Sequence, residues 1–239
     1  NYGGLAVSPL YTDGMVIQRN KPIVFRGIAN TGETVKVAFN GHTLSALADG
    51  AGKWKVSFPK QEAGGPYKAV ISTKKQKLTI KDIYVGEVWL CSGQSNMELP
   101  VSAVQSREQD LNEAEKQTRL HLFNMSAIYP TTSVSWSVGA CDSVNRHQYL
   151  RVGPWSNCTR ASLSSFSAVA YHFGKNLADS LQVPVGIICN AVGGTTTESW
   201  IDRHTLEQHV PSILHDWYHS DFGMKWARER ALQNVKLSK

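Results

Sequence analysis

From Met15 to about Asp82, short runs of alternating apolar and polar residues follow one another: Ile23 to Ile28, Thr34 to Phe39, Thr43 to Ala48, Trp54 to Phe58, Tyr67 to Ser72 and Leu78 to Ile80. Alternation with period two predicts half-buried strands. The breaks between them carry turn chemistry, at Asn20-Lys21-Pro22, Thr31-Gly32, Asn40-Gly41, Asp49-Gly50 and Gly64-Gly65-Pro66. There Gly and Asn supply positive φ and Pro presets a bend. This stretch reads as an all-β sandwich.

After Asp82 the pattern changes. Ile83 to Cys91 is nearly continuously apolar, as expected for a strand buried on both faces of a parallel sheet. Arg119 to Met125 and Val185 to Asn190 have the same character. Between them, Phe166 to Leu181 has helical spacing, with Phe166, Val169, Ala170, Phe173, Leu177 and Leu181 on one face. Pro184 separates that helix from the next strand, giving the strand, helix, strand order of an α/β layer. From Ile201 to Lys239 only helical or loop character is predicted, with Leu206, Val210, Leu214, Trp217 and Trp226 as the apolar face. Two domains are therefore expected, a β-sandwich over residues 1–82 and an α/β domain over residues 83–239. Three parallel strands would leave two apolar sheet edges open, so the second domain is expected to be incomplete.

The 239 residues are 41% hydrophobic and 18% charged, which excludes a disordered chain. The net charge of +6 comes from 25 Lys and Arg against 19 Asp and Glu. These basic residues are scattered rather than striped, which argues against nucleic-acid binding. A weak long-range preference for acidic ligands such as sialylated glycans is compatible with that charge. No run of 18 apolar residues exists, so no membrane span is expected.

The start of the chain lacks the basic and apolar regions of a signal peptide. Asn124-Met125-Ser126 and Asn157-Cys158-Thr159 match the glycosylation triplet, and a secreted, lysosomal or periplasmic location is expected. Cys91, Cys141, Cys158 and Cys189 have no zinc-site spacing. Cys141 and Cys158 flank a polar segment that a disulfide between them would pin. Cys91 and Cys189 lie in apolar runs and read as small buried hydrophobes.

The stretch Gly86 to Met97, ending in Cys91-Ser92-Gly93-Gln94-Ser95-Asn96-Met97, runs an apolar strand into a tight turn. A serine at the carboxyl end of a parallel strand faces the crevice where open α/β sheets bind ligands. Nearby backbone N–H groups there can receive a developing oxyanion. Ser95 is thus a candidate nucleophile, although Ser92, Ser95 and Asn96 also suit plain turn and cap positions.

This run resembles the first signature block of the SGNH hydrolases, in particular their sialate O-acetylesterase and carbohydrate acetylesterase branch. Further resemblances occur in order along the chain. Asp13 to Arg19 and Gly64-Gly65-Pro66-Tyr67 resemble the accessory β-domain of that branch, and Phe166 to Tyr171 the helix after its variable loop. Val192-Gly193-Gly194-Thr195 with Glu198-Ser199-Trp200 resembles its glycine block. The resemblance implies a three-layer, flavodoxin-like parallel sheet and a serine esterase acting on O-acetylated sugars, foremost O-acetylated sialic acids. Ser95 would attack the acetyl carbonyl to give an acetyl-enzyme. The Ser95 amide and an amide of the Gly193-Gly194 turn, Gly194 by preference, would hold the oxyanion. Gln94 and Asn96 would either bond sugar hydroxyls or hold the turn.

Glu198 and Trp200 are equally open, the one suited to a helix amino end, the other to a core. Neither metal nor organic cofactor is implied. The base histidine and its aspartate lie far downstream of the glycine block in the resembled family. They are expected on a companion chain or a carboxyl-terminal portion. Asp216-Trp217-Tyr218-His219 is the one local Asp-x-x-His segment, in a polar stretch where a histidine is usually solvated. His42, His121, His147, His172, His204 and His209 have no carboxylate at that spacing and read as structural or exposed. A carbohydrate-binding protein with a degenerate catalytic domain, or an acyl hydrolase for other esters, are the competing readings.

Overall fold

The structure, a computed structural model, describes residues 4–128, 137–146, 148, 150–219 and 229. Among the described residues the strands are β1 (Ala6–Val7), β2 (Val16–Gln18), β3 (Pro22–Ile28), β4 (Thr34–Phe39), β5 (His42–Leu47), β6 (Lys53–Lys60), β7 (Gly64–Ser72), β8 (Lys77–Gly93), β9 (Leu120–Ala127), β10 (Leu150–Val152), β11 (Ser156–Asn157) and β12 (Val185–Ala191). The helices are α1 (Ser95–Glu98), α2 (Arg107–Glu113), α3 (Val138–Asn145), α4 (Arg160–Ser164), α5 (Ala168–Leu181), α6 (Arg203–His209) and α7 (Pro211–Tyr218). The fold is mixed α/β and mostly sheet. None of these helices is long and apolar enough to cross a membrane. Two compact units divide the chain, the larger formed by Asn1–Ser92, Met97–Met125 and Val152–Asn190, the smaller by Gly93–Asn96, Ser126–Arg151 and Ala191–Lys239.

In the larger unit, β1, β3 and β6 form one antiparallel sheet, and β5, β4, β7 and β8 run in order through another. The alternation read from the sequence is the burial pattern observed on β4 and β6, where Val35, Val37 and Phe39, and Trp54, Val56 and Phe58, point into one shared core; on β5 it is not, and Leu44 and Leu47 are exposed. Phe25, Phe39 and Phe58 meet there at ring separations of 5.4–6.0 Å, within the range at which aromatic pairs attract. Asn20, Asn40, Gly32, Gly41 and Gly65 do take positive φ at the breaks, whereas the turn after Asp49 places it on Gly52 rather than Gly50.

β8 departs from the two strands expected on either side of Asp82. It is one strand of 17 residues. Ala69 pairs with Ile80 and Tyr67 with Ile83, so β8 carries one extra residue there, and Asp82 takes a φ of 52°. The change of pattern at Asp82 is thus a β-bulge within a continuous strand, a device that bends and re-aims the chain. Beyond the bulge β8 leaves β7 and neighbours β12, which in turn pairs in parallel with β9 from Val185↔Leu120 to Asn190↔Met125.

Helix α5, capped by Ser167, connects back to β12. The expected face holds only in part: Phe166 and Ala170 are buried and Leu177 is half-buried, but Val169, Phe173 and Leu181 are 51%, 40% and 39% exposed, and Tyr171, Gly174 and Ala178 are buried in their place. The small residues let the helix lie close on the sheet. A Cβ on Gly174 would come within 2.7 Å of Ile187 Cγ1 and 2.9 Å of Leu120 Cδ1. Close approach at small residues outweighed the larger side chains one step around the helix. A still tighter approach occurs at Gly86, where a Cβ would lie 1.9 Å from the Pro184 carbonyl oxygen.

In the smaller unit, the expected apolar face of the last segment holds only in part. Leu206 on α6 is buried, Leu214 on α7 is half-buried and Val210 between them is 38% exposed. Asp221, Trp226, His147 and the side chains of Trp217 and Cys141 lie outside the described residues. Cys158 is a buried free thiol in this structure, while the side chain of Cys141, its expected disulfide partner, lies outside the described residues. Burial pushes the Cys158 thiol up to about 12. Of the two glycosylation triplets, Asn157 is exposed, whereas Asn124 lies within β9, in register with Cys189 and accepting a bond from Gly153 N–H.

Candidate active site

β8 ends at Gly93, whose φ of 154° is open to glycine and strained for other residues. Gln94 makes the bend and Ser95 opens the four-residue helix α1. Gln94, Ser95 and Asn96 are all exposed. Directly beside them, Val192 N–H donates to the Gly93 carbonyl at 3.0 Å, which carries the β8 and β12 pairing to the last residues of both strands.

The chain leaving β12 then turns through Gly193 and Gly194. Gly194 has a φ of 79°, the left-handed region that costs side-chain-bearing residues about 1–2 kcal/mol. Thr195 closes this turn by donating its hydroxyl to the Val192 carbonyl at 2.8 Å, and it accepts the Trp200 indole N–H at 3.0 Å. Trp200 is thereby half-exposed rather than part of a core. Beyond the glycine block the chain makes a single 3-10 turn, Thr197–Trp200, instead of the expected helix. Its own backbone amide and the Thr196 hydroxyl hold the Glu198 carboxyl below the usual range.

Gln94 ties the two turns together. Its Nε2 donates to the Thr195 carbonyl at 2.9 Å, and its Oε1 accepts the Ser95 hydroxyl at 2.8 Å and the Ser95 amide at 3.4 Å. The sequence left open whether Gln94 holds the turn or meets a sugar. In this structure its carboxamide bridges the two turns, with its oxygen facing both the Ser95 hydroxyl and the Ser95 N–H. Asn96 has no side-chain hydrogen bond among the described residues.

No histidine is hydrogen-bonded to Ser95 among the described residues. The Asp216-x-x-His219 segment lies on and just after α7, with its two members turned apart. His219 Nδ1 sits 2.8 Å from the His215 carbonyl and its ring stacks on His215 at 4.1 Å, while Asp216 Oδ1 stands 3.4 Å from His215 Nδ1. In the larger unit, a pairing invisible to sequence spacing does occur. Buried Asp110 of α2 accepts the Ser106 hydroxyl at 2.6 Å and stands 3.2 Å from His172 Nε2 of α5. Buried His121 packs on Tyr84 at 4.5 Å, and desolvation lowers its pKa to about 4. Among the described residues no group of three or more His, Cys, Asp or Glu is placed to hold a metal ion.

A scan against protein-family models returns no match. Among curated proteins, sialate O-acetylesterase of Mus musculus is 27% identical over 217 residues, covering 82% of this chain and 38% of the relative. The Homo sapiens sialate O-acetylesterase is 25% identical over 223 residues, covering 85% of this chain and 40% of the relative. Among solved structures, the crystal structure of a carbohydrate acetylesterase from Xanthomonas citri matches with a TM-score of 0.71 at 31% identity, over 85% of this chain and 44% of that one. The chain thus spans about two fifths of the length of the curated relatives it matches.

Proposed function

We propose that this chain, a member of the sialate O-acetylesterase and carbohydrate acetylesterase family, carries the nucleophile portion of a serine esterase. Its substrates are O-acetyl esters of sugars, with O-acetylated sialic acids foremost. The observation that supports this most directly is the exposed Ser95 at the end of β8, hydrogen-bonded through Gln94 to the turn formed by Gly193 to Thr195.

In this reading the Ser95 oxygen attacks the acetyl carbonyl, and the ester oxygen displaces Gln94 Oε1 from the Ser95 amide. Negative charge on that oxygen is held by the Ser95 N–H and by an amide of the Gly193-Gly194 turn, Gly194 by preference. Asn96, exposed one residue beyond the nucleophile, is free to meet a sugar hydroxyl. Collapse of the tetrahedral adduct expels the sugar oxygen, and water then releases acetate from the acetyl-Ser95 ester. The base that takes the Ser95 proton, and the carboxylate that orients it, belong in this reading to a companion chain or a carboxyl-terminal portion. A non-cytosolic compartment and the domain division at residues 82 and 83, with an SGNH-type second domain, form part of the same reading.

Turnover of p-nitrophenyl acetate and of an O-acetylated sialic acid tests the proposal, with any copurifying polypeptide retained. Loss of turnover in Ser95→Ala and a transient gain of one acetyl group on the 82–107 peptide are the expected results. Equal rates for the parent protein and Ser95→Ala would overturn it and leave a carbohydrate-binding role. A preference for longer acyl chains over acetyl would retain the nucleophile and replace the substrate.

A further inference from the structure

β8 and β12 bring two cysteines face to face. At one end of their contact Glu87 N–H donates to the Pro184 carbonyl at 2.9 Å, and at the other Val192 N–H donates to the Gly93 carbonyl at 3.0 Å. In a parallel pair, a residue's N–H reaches the carbonyl one position before its partner, and its carbonyl receives the N–H one position after. Both bonds therefore give the same register: Glu87 opposite Val185, Gly93 opposite Ala191, and Cys91 opposite Cys189.

Their side chains share a face. Alternation along each strand places Cys91 with Trp89 and Cys189 with Ile187. Trp89 packs against Phe173 of α5 at 5.2 Å, and Ile187 lies under Gly174 of the same helix. Both thiols thus project from the sheet beneath α5, and the Ser167 cap of that helix bonds Cys189. Cys91 is half-buried and Cys189 is 3% exposed, and both are free thiols in this structure.

Adjacent strands lie about 4.8 Å apart, inside the Cα separation of about 4.4–6.8 Å that a disulfide spans. In-register side chains on neighbouring strands leave the sheet side by side, so their Cβ atoms stand about as far apart as the strands, about 4.8 Å, against about 3.8 Å in a disulfide. The strands have only to close by about 1 Å. The resulting bond is strained, and strained disulfides are the readily reduced ones.

We propose that Cys91 and Cys189 form a redox-active dithiol, oxidised by a small-molecule disulfide to a cross-strand bond that ties together the strand ends leading to Ser95 and to Gly193. The Cys91 thiolate, the more accessible, attacks oxidised glutathione and expels one glutathione thiolate. Cys189 then attacks the mixed disulfide at the Cys91 sulfur and expels the second. Two electrons pass from the protein to the glutathione disulfide, and the two protein protons end on the two glutathiones released. The bond lies in the strands rather than in the reacting groups. Its chemistry therefore stands apart from the esterase reading, on which only the consequence for the strand ends depends.

Incubation of the folded chain with oxidised glutathione, trapping of free thiols by iodoacetamide and non-reducing tryptic mapping test this. The expected product is the Asp82–Arg107 peptide joined to the Asn176–Arg203 peptide, with the mass of two hydrogens lost and restored by dithiothreitol. In Cys189→Ser, oxidation halts at a glutathione adduct on Cys91. In Cys91→Ser, the Cys189 thiol stays free. Recovery of both cysteines as iodoacetamide adducts in the parent protein would overturn the proposal, as would a persistent glutathione adduct on Cys91 there. The parent protein alone decides the outcome if either variant misfolds, and no esterase turnover is needed.

Discussion

The Ser95 hydroxyl donates to Gln94 Oε1 at 2.8 Å, and the same oxygen accepts the Ser95 amide at 3.4 Å. One side-chain carbonyl therefore engages both groups that the proposed reaction needs, while the other end of the same carboxamide anchors on Thr195.

Gln94→Ala removes this tie between the two turns. Net hydrogen bonds of this kind are each worth about 1 kcal/mol, so kcat/KM for p-nitrophenyl acetate is expected to fall about tenfold as the Gly193-Gly194 turn loses its anchor. Gln94→Glu is expected to fall further, because a carboxylate then faces the Thr195 carbonyl. Unchanged kinetics in both variants would mean that Gln94 is an ordinary surface residue.

Gly86 and Gly174 both permit close packing, but against different neighbours. In Gly86→Ala the new Cβ meets backbone, 1.9 Å from the Pro184 oxygen, and the β8 and β12 pairing must open. A loss of about 3 kcal/mol or more is expected in urea denaturation. In Gly174→Ala it meets the side-chain ends of Ile187 and Leu120, which can shift. A loss of about 1–3 kcal/mol is expected there. The reverse order would contradict the backbone contact.

His121 makes stability depend on pH. Its folded pKa is depressed to about 4, below the ordinary value of about 6.5 in an unfolded chain. Its neutral form is favoured by folding, so this contribution is complete above about pH 6.5 and falls away as pH drops toward 4. The loss amounts to about 3 kcal/mol across that window. Urea midpoints measured from pH 7 to pH 4.5 should fall for the parent protein, and His121→Phe should flatten the part due to this ring.

Asp110 is buried at 6% exposure, while the His172 side chain is 45% exposed. Removal of the carboxylate in Asp110→Ala also frees the Ser106 hydroxyl, so it is expected to cost about 1–3 kcal/mol. His172→Ala should cost less. Solvent screening on the histidine side limits the pair itself, and a double-mutant cycle is expected to give a coupling of about 0.5 kcal/mol. A coupling of several kcal/mol would show a pair far better shielded than its exposure implies.

Most strands were legible because each depends on near neighbours in the chain. Thr34 to Phe39 and Trp54 to Phe58 alternate cleanly, and the structure buries the apolar half of each. The union of Leu78 to Ile80 with Ile83 to Cys91 into one strand was not legible. A bulge at Asp82 is a property of pairing with β7, which local spacing does not report. Helix α5 was legible, and Phe166 and Ala170 of its expected face are buried, but the rest of that face is turned. Side-chain size favoured Val169 and Phe173, whereas closeness to the sheet selected Gly174 and Ala178.

At the candidate site, the sequence alone pointed to Ser95, Gly193 and Gly194, since a serine after an apolar strand and a pair of glycines are local signatures and the surrounding motifs resemble a known family. It also determined the succession of strands, because period-two burial is written residue by residue. Tertiary structure decided which groups meet across long stretches of chain. Gln94 bridges to Thr195, Asp110 to His172, and Cys91 stands opposite Cys189. Such meetings depend on strand register and helix approach, which arise from the packing of the whole chain, and no run of neighbouring residues contains them.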